Sequence, residues 1–415
     1  MLRTEVNLRG ERVPLASSFE GRVVFENLKI LYGRDFSLLE GGYLAVEEGV
    51  IVEVGRGRFE GKAEGRINGR GLLAVPGLIN AHIHLGDSAA KELSLGLTLE
   101  KAVSPSNGFK HRFLRNAEPE TLVYWMEQTL KSMVSSGITC FADFREDGVK
   151  GVSMLRKALG NVKARSLILA RPSMPQSLGR VKDELEELKK AADGIGVGSL
   201  SQFTDSMLSL IAESFKGVKL LAAHAAEAEA AGVSEVERAV KHLRADLLVH
   251  MVHVEDWELE AAARAGVGVV VCPRSNASFG LGLPDLKRME DFGLKVGLGT
   301  DNVMVCQPDM FREMEFTSRA LRLKYKDPSY PPPEKVFRMA TVGAAEALGL
   351  DGKLGSLEEG KLADMVFLDL EASNVAPVHS LMAALVHRVS VENVMLVVVG
   401  GKIAFSRLPL KVWKA

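Results

Sequence analysis

The chain has 415 residues, 47% hydrophobic and 25% charged, with 52 Lys and Arg against 53 Asp and Glu for a formal net charge of −1. That length accommodates one large domain with a smaller one, or two of comparable size, and the charge balance supplies no overall pull toward nucleic acid or an anionic membrane. Three scattered cysteines, Cys140, Cys272 and Cys306, argue against a disulfide framework or a cysteine metal cluster, and no apolar run reaches the ~18 residues that span a bilayer.

The first nine residues carry charges throughout and no apolar core of a secretory signal, so a cytoplasmic location is expected. Scarce Gln beside abundant Glu, Lys and Arg points to a thermophilic source. Residues 21–72 contain short β-like pieces at 22–26, 42–46 and 50–54, separated by glycines. From residue 73 onward, apolar segments at 73–84, 138–144, 165–170, 195–200, 220–225, 247–250, 267–272 and 296–301 alternate with helical patterns. These segments are mostly continuous apolar runs, as parallel strands buried on both faces require. The helical patterns fall at 119–134, 183–192, 234–243, 255–265, 308–323 and 333–348, the last preceded by the Pro331-Pro332-Pro333 stop. Eight strand-then-helix alternations predict an α/β (β/α)8 TIM barrel over 73–354; a doubly wound open sheet is the competing architecture. Neither 1–72 nor 355–415 has enough apolar surface for its own core. The two ends are therefore expected to pack together as one small β-sandwich domain.

The candidate chemistry lies at strand ends. His82 and His84 are i and i+2 of the first strand, so both imidazoles face one space, and imidazole suits zinc, iron and similar metals. Two histidines merely packed or solvated at a strand end are the bland alternative. His224 ends the fifth strand and His250 the sixth, with His253 just beyond on a loop. Five of the nine histidines thus fall at or beside three strand ends, a clustering that packing alone does not favour. Parallel barrel strands present their C-terminal ends to one mouth, where these side chains would converge. Asp301 closes a glycine-rich buried strand and needs a partner for its charge, either a metal or the helix that follows. Glu227, three residues past His224, could shuttle protons or serve as a first-turn helix acid. Asp87, Asp143 and Arg145 follow strands one and two, where each could touch substrate or form a structural ion pair.

These landmarks resemble the metal-dependent amidohydrolases, most closely the branch with cytosine, guanine and S-adenosylhomocysteine deaminases and triazine chlorohydrolases. The resemblance runs from Pro76-Gly77-Leu78-Ile79-Asn80-Ala81-His82-Ile83-His84 through His224-Ala225-Ala226-Glu227 and His250-Met251-Val252-His253. It continues in Cys272-Pro273-Arg274-Ser275-Asn276, Gly299-Thr300-Asp301 and Gly360-Lys361-Leu362-Ala363-Asp364. It implies one divalent metal ion per subunit, zinc or iron, held by His82, His84, His224 and Asp301. Glu227 would then be the proton shuttle, His250 would polarise or protonate the substrate, and Asp87, Arg145 and Asn276 would be candidate substrate contacts. Two departures stand out. Val271 replaces a histidine that often precedes the Cys-Pro pair, and 194–201 lacks the lysine that binuclear members carbamylate, which favours a single metal over two. Lys216 and Lys219 are poor substitutes.

The implied reaction is hydrolytic deamination of an amino-substituted N-heterocycle by a metal-activated water. Cyclic-amide hydrolysis, as in imidazolonepropionase-like relatives, and a non-catalytic scaffold are the alternatives. The implied partner is a small-molecule substrate, with no nucleic acid or membrane, and homo-oligomerisation is left open. Residues 85–115 form a long loop carrying Lys91, Lys101, Lys110, His111 and Arg112. It is read as a solvated basic surface in preference to a lid that touches an acidic group.

Overall fold

At Gly77 the chain passes from one sheet to another. The stretch read as a single strand at 73–84 is two strands. Leu72–Pro76 pairs antiparallel with Met365–Asp369 and parallel with Val23–Tyr32, while Leu78–His84 pairs parallel with Ile138–Arg145. The physical reason is local: a Cβ at Gly77 would lie 2.1 Å from Thr139 Oγ1, so only glycine lets the backbone pass this close. The computed structural model describes residues 4–7, 21–69, 71–104, 107–160, 162–172, 178–229, 232–408 and 411–414.

Beyond Gly77 lies a nine-stranded, wholly parallel sheet. Its spatial order is Lys295–Leu298, Gly268–Val271, Leu247–His250, Leu220–Ala225, Gly194–Val197, Arg165–Ala170, Ile138–Arg145, Leu78–His84 and Asp301–Asn302. The two edge strands belong to one chain segment. Lys295–Leu298 pairs with the strand before it in sequence, and Asp301–Asn302 pairs with Leu78–His84. Between them, Gly299 N donates to Val271 O at 3.0 Å and Thr300 N to His82 O at 3.0 Å. The sheet therefore curls so that its last strand position meets its first, the TIM-like arrangement. Leu78–His84 and Ile138–Arg145 are buried along their whole length, which accounts for their unbroken apolar sequences.

Helices Pro119–Ser135, Gly148–Leu159, Leu178–Ala191, Asp205–Phe215, Asp256–Arg264 and Met310–Tyr325 alternate with these strands. Their capping is written locally: Pro119 opens its helix, and Asp309 accepts from Phe311 N and Arg312 N; the short helix Glu235–Arg238 is capped likewise by Ser234, which accepts from Glu237 N. The helix expected over 333–348 is broken into Pro333–Met339 and Val342–Ala347. The second half is redirected because its backbone packs hard on the eighth strand: a Cβ at Gly343 would meet Val296 O at 2.6 Å, and one at Gly297 would meet Ala344 Cα at 2.8 Å. Gly148–Leu159 and Asp205–Phe215 lie outside the helical patterns read from sequence.

The chain ends share the other sheet, of ten strands. Strands from 4–76 interleave with Met365–Asp369, Val394–Val399, Lys402–Ser406 and Lys411–Lys414. One apolar core joins them, containing Phe25, Ile30, Leu44 and Ile51 with Met365, Phe367, Leu396 and Val398, and the Phe25 and Phe367 rings stack at 5.1 Å. Arg165, on a strand of the parallel sheet, binds Asp364 through Nε at 2.8 Å and Nη2 at 3.0 Å, which ties the two sheets together. Among the described residues no helix is long and apolar enough to cross a membrane.

Candidate active site

The C-terminal ends of strands one, five and six and the second piece of the split eighth strand, Asp301–Asn302, bring His82, His84, His224, His250 and Asp301 to one place. The His82 and His84 rings lie 4.9 Å apart, and His82 is 4.9 Å from His224 and 5.9 Å from His250. Phe144, from strand two, packs edge-on against His82 at 4.4 Å and His224 at 5.0 Å, giving the cluster an apolar floor. Gly299 allows the eighth strand to cross His82, because a Cβ there would fall within 2.8 Å of three His82 atoms. His250 and Asp301 adopt left-handed φ values of 80° and 60°, and Ala226, just before Glu227, has φ 50°. Backbone strain of this kind persists only where surrounding structure holds it, and it concentrates at functional sites.

The ring nitrogens sort the histidines by role. His84 Nδ1 lies 3.0 Å from Phe144 O and 3.0 Å from Glu146 Oε1, and His224 Nδ1 lies 3.1 Å from Val197 O. Both Nδ1 atoms face acceptors and so carry the protons, which leaves both Nε2 atoms as bare lone pairs. Those two Nε2 atoms nevertheless face each other at 3.3 Å. Asp301 Oδ1 lies 3.2 Å from His82 Nε2 and 3.4 Å from His84 Nε2. Ligand atoms bound at 2.0–2.1 Å to one tetrahedral zinc stand about 3.3 Å from each other, so these separations fit a cation among them. Burial, followed by the Lys110 charge, depresses His84 to about 3, and burial depresses His250 to about 4. Burial and the neighbouring histidines also hold His224 well below its ordinary value. Neutral imidazole is the form a metal requires.

His250 differs from the others. Its Nδ1 meets the side-chain amide Nδ2 of Asn276 at 3.1 Å, so Nδ1 accepts and the proton sits on Nε2, 3.5 Å from Glu227 Oε1. Grouped by distance alone, His82, His224, His250 and Asp301 offer ligand atoms all within 4.8 Å of one another. That grouping substitutes His250 for His84, but the proton on Nε2 makes His250 a donor, and the free Nε2 lone pair of His84 makes it the better ligand.

Asp301 is held from two further sides, by Ser275 Oγ at 2.6 Å on Oδ2 and by Asn302 Nδ2 at 2.8 Å on Oδ1. Burial alone would raise its carboxyl, but the close approach of His82 Nε2 and the surrounding histidines hold it well below the usual carboxylate range. Glu227 goes the other way: burial, with the charges of Asp301 and Glu235, pushes it well above its ordinary value. The same buried cluster thus pushes the Asp301 and Glu227 carboxyls in opposite directions.

A cavity of about 360 Å³ opens over this cluster, lined by His84, His224, Glu227, His250 and Asp301 together with Leu99, Val103, Lys110, His111, Arg171 and Ser199. Asp87, Arg145 and Asn276, read from sequence as candidate substrate contacts, are buried and are not among its lining residues. Asp87 accepts from Met304 N at 3.2 Å, Arg145 lies 3.4 Å from Asp143 and pairs with Glu146, and Asn276 supports His250. The 85–115 segment meets the expectation of a solvated basic surface in part: Lys91, Lys101 and Arg112 are exposed, whereas Lys110 is buried and His111 half-buried at the cavity. It folds into Leu85–Ala89, Leu99–Val103 and Phe109–Asn116, lines the cavity, and buries Lys110 among carboxylates that pair with it. Lys216 binds Asp246, and Lys219 binds the carbonyls of Lys189 and Ala192, so neither reaches the site. His253 lies off it too, 2.7 Å from Leu281 O. Sequence reading missed Glu146, Asn302 and Ser275 as supports. Each is adjacent to a residue that was singled out or within a quoted motif, which is the signal that could have found them.

A curled parallel sheet with a histidine and carboxylate cluster at its C-terminal strand ends defines a metal-dependent hydrolase class. The amidohydrolase family model matches residues 73–404, and the chain belongs to that family. It is 37% identical over 364 residues to an uncharacterised protein of Methanocaldococcus jannaschii, covering 83% of this chain and 90% of that one. It is 27% identical over 420 residues to a 5-methylthioadenosine/S-adenosylhomocysteine deaminase of Syntrophomonas wolfei, covering 94% and 95%. A zinc-bound adenosine deaminase from Xanthomonas campestris shares the fold at a TM-score of 0.80 and 20% identity, covering 94% of this chain and 93% of that one.

Proposed function

We propose that this amidohydrolase hydrolytically deaminates an amino-substituted N-heterocycle, using one divalent metal ion, zinc or iron, held by His82, His84, His224 and Asp301. The observation that carries the reading is the 3.3 Å approach of the His84 and His224 Nε2 atoms, with both Nδ1 protons committed elsewhere. Two lone pairs so placed repel unless a cation lies between them. The deaminase names among the relatives support the choice of reaction.

A bound divalent metal supplies Lewis acidity and makes water a nucleophile near neutral pH. Asp301 takes the proton released as water attacks the ring carbon bearing the amino group. Glu227, kept protonated, donates to the ring nitrogen beside that carbon. His250, with its Nε2 proton directed into the cavity, stabilises the oxygen that develops negative charge. As the tetrahedral adduct collapses, Asp301 passes its proton to the amino group, which leaves as ammonia, and the remaining hydroxyl proton returns to Glu227, leaving a carbonyl in place of the amino group. The same reading divides the chain into a (β/α)8 barrel and a β-sandwich built from both ends, with the first crossing at Gly77.

The test is a panel of aminopurines, aminopyrimidines, pterins and cyclic amides assayed with metal-loaded and metal-stripped protein. Ammonia release that disappears on chelation and returns with one equivalent of zinc or iron is expected. Full activity in metal-free protein would sink the reading, and turnover of cyclic amides alone would replace the reaction.

A further inference from the structure

A buried charge cluster lies behind His84. Glu146, 3% exposed, places Oε1 3.0 Å from His84 Nδ1, pairs through the same oxygen with Lys110, and pairs through Oε2 with Arg145. Lys110, also 3% exposed, donates to Asn302 Oδ1 at 3.0 Å and stands 3.8 Å from Asp87 Oδ2. Asn302 in turn donates to Asp301 Oδ1 at 2.8 Å. One ammonium therefore has two arms: through Glu146 to His84, and through Asn302 to Asp301. It is carried on Phe109–Asn116, within the segment whose Leu99, Val103 and His111 line the cavity.

Burying a lysine carries a desolvation cost that an apolar residue filling the same space would not. Removing only the ammonium would leave Asp87 and Glu146 short of positive charge and free both arms. We propose that Lys110 is a positioning residue of the metal centre, holding Glu146 against His84 and Asn302 against Asp301. The cavity wall and two of the four proposed ligands are thereby registered by one side chain. This rests on the metal-site reading above. Glu146 and Asn302 are partners of the kind that fix the tautomer and direction of ligating groups, and losing such a partner typically weakens metal affinity 10- to 100-fold.

The experiment uses the full chain, stripped of metal, in chelator competition with zinc, together with the absorption spectrum of the cobalt(II)-loaded protein. Lys110→Met is expected to lower zinc affinity 10- to 100-fold and to change the cobalt spectrum. Lys110→Arg, which keeps charge and donors, should recover part of both. A variant with a lower melting midpoint but unchanged affinity and spectrum would mark a merely structural lysine and overturn the proposal. Should Lys110→Met not fold, Lys110→Gln carries the same comparison under the same criterion. Wild-type protein that binds neither zinc nor cobalt overturns the metal reading as well, whereas equal binding by wild type and variant overturns this inference alone.

Discussion

Glu227 stands apart from Asp301 because its surroundings push its carboxyl toward the protonated form. Burial, then the charges of Asp301 and Glu235, raise it, while Asp301 beside it is held ionised. Environments that push two carboxyls apart assign the acid and the base. Glu227→Gln is expected to lower turnover by about 10²- to 10⁴-fold, the usual worth of a positioned proton donor, while metal content stays at the wild-type level. If Glu227 is the proton donor proposed above, the protonated form is the active one, so kcat/KM should fall as pH rises through the Glu227 pKa, and the glutamine variant should lack that alkaline limb. Steady-state profiles with metal analysis on the same preparations check both, and unchanged turnover would remove Glu227 from the reaction. The histidines and Asp301 were legible in the sequence because strand periodicity and shared strand ends fix where such side chains point. Lys110 was not. Its environment is made by Glu146, Asn302 and Asp87, residues far from it in the sequence, and no local pattern encodes that meeting.

Elements show the same division. Six of the eight barrel strands were readable as apolar runs, but the first and the last each conceal a break that the sequence pattern does not mark. At Gly77 it is set by Thr139, and at Gly299-Thr300 by the need to bond strand seven on one side and strand one on the other. Helix Met310–Tyr325 offers a test of how one element supports another. Its Glu313 is fully buried beneath Pro273–Ser278, the helix that carries Ser275 and Asn276. Oε1 accepts from Arg274 N at 3.1 Å, while Oε2 has no hydrogen bond. Burial pushes this carboxyl up to about 7, although Arg274 pulls the other way. The folded pKa therefore exceeds the unfolded one. The stability this group contributes is complete below about 4.5 and is lost as pH rises through about 7, a change on the order of 3 kcal/mol at most. Glu313→Gln should accordingly lose less stability than wild type between pH 5 and pH 8. Denaturation midpoints at the two pH values measure it, and parallel losses in both proteins would show that Glu313 does not titrate there.

At the scale of the whole molecule, the question is what the terminal sheet contributes to a site it does not touch. None of its core side chains lines the cavity, and Phe367 is enclosed with Phe25 among residues from both chain ends. Leu72–Pro76, however, leads through Gly77 directly into the strand that carries His82 and His84, and Asp364 holds Arg165 on a strand of the parallel sheet. If those links only anchor the sheet, damage to its core should cost stability without altering catalysis. Phe367→Ala removes a fully buried ring and should destabilise by about 3–5 kcal/mol, the usual cost of such a cavity. Its denaturation midpoint should therefore fall by several degrees. Assayed well below that midpoint, kcat, KM and zinc affinity should remain within about twofold of wild type, because the void left by the Phe367 ring lies in the terminal-sheet core, across Gly77 from the histidines, and packed interiors confine most of the response to neighbouring atoms. The opposite result, a fall in zinc affinity or a rise in KM that parallels the loss of stability, would mean that the terminal sheet sets the register of His82 and His84 through Gly77. The two sheets would then act as one catalytic unit.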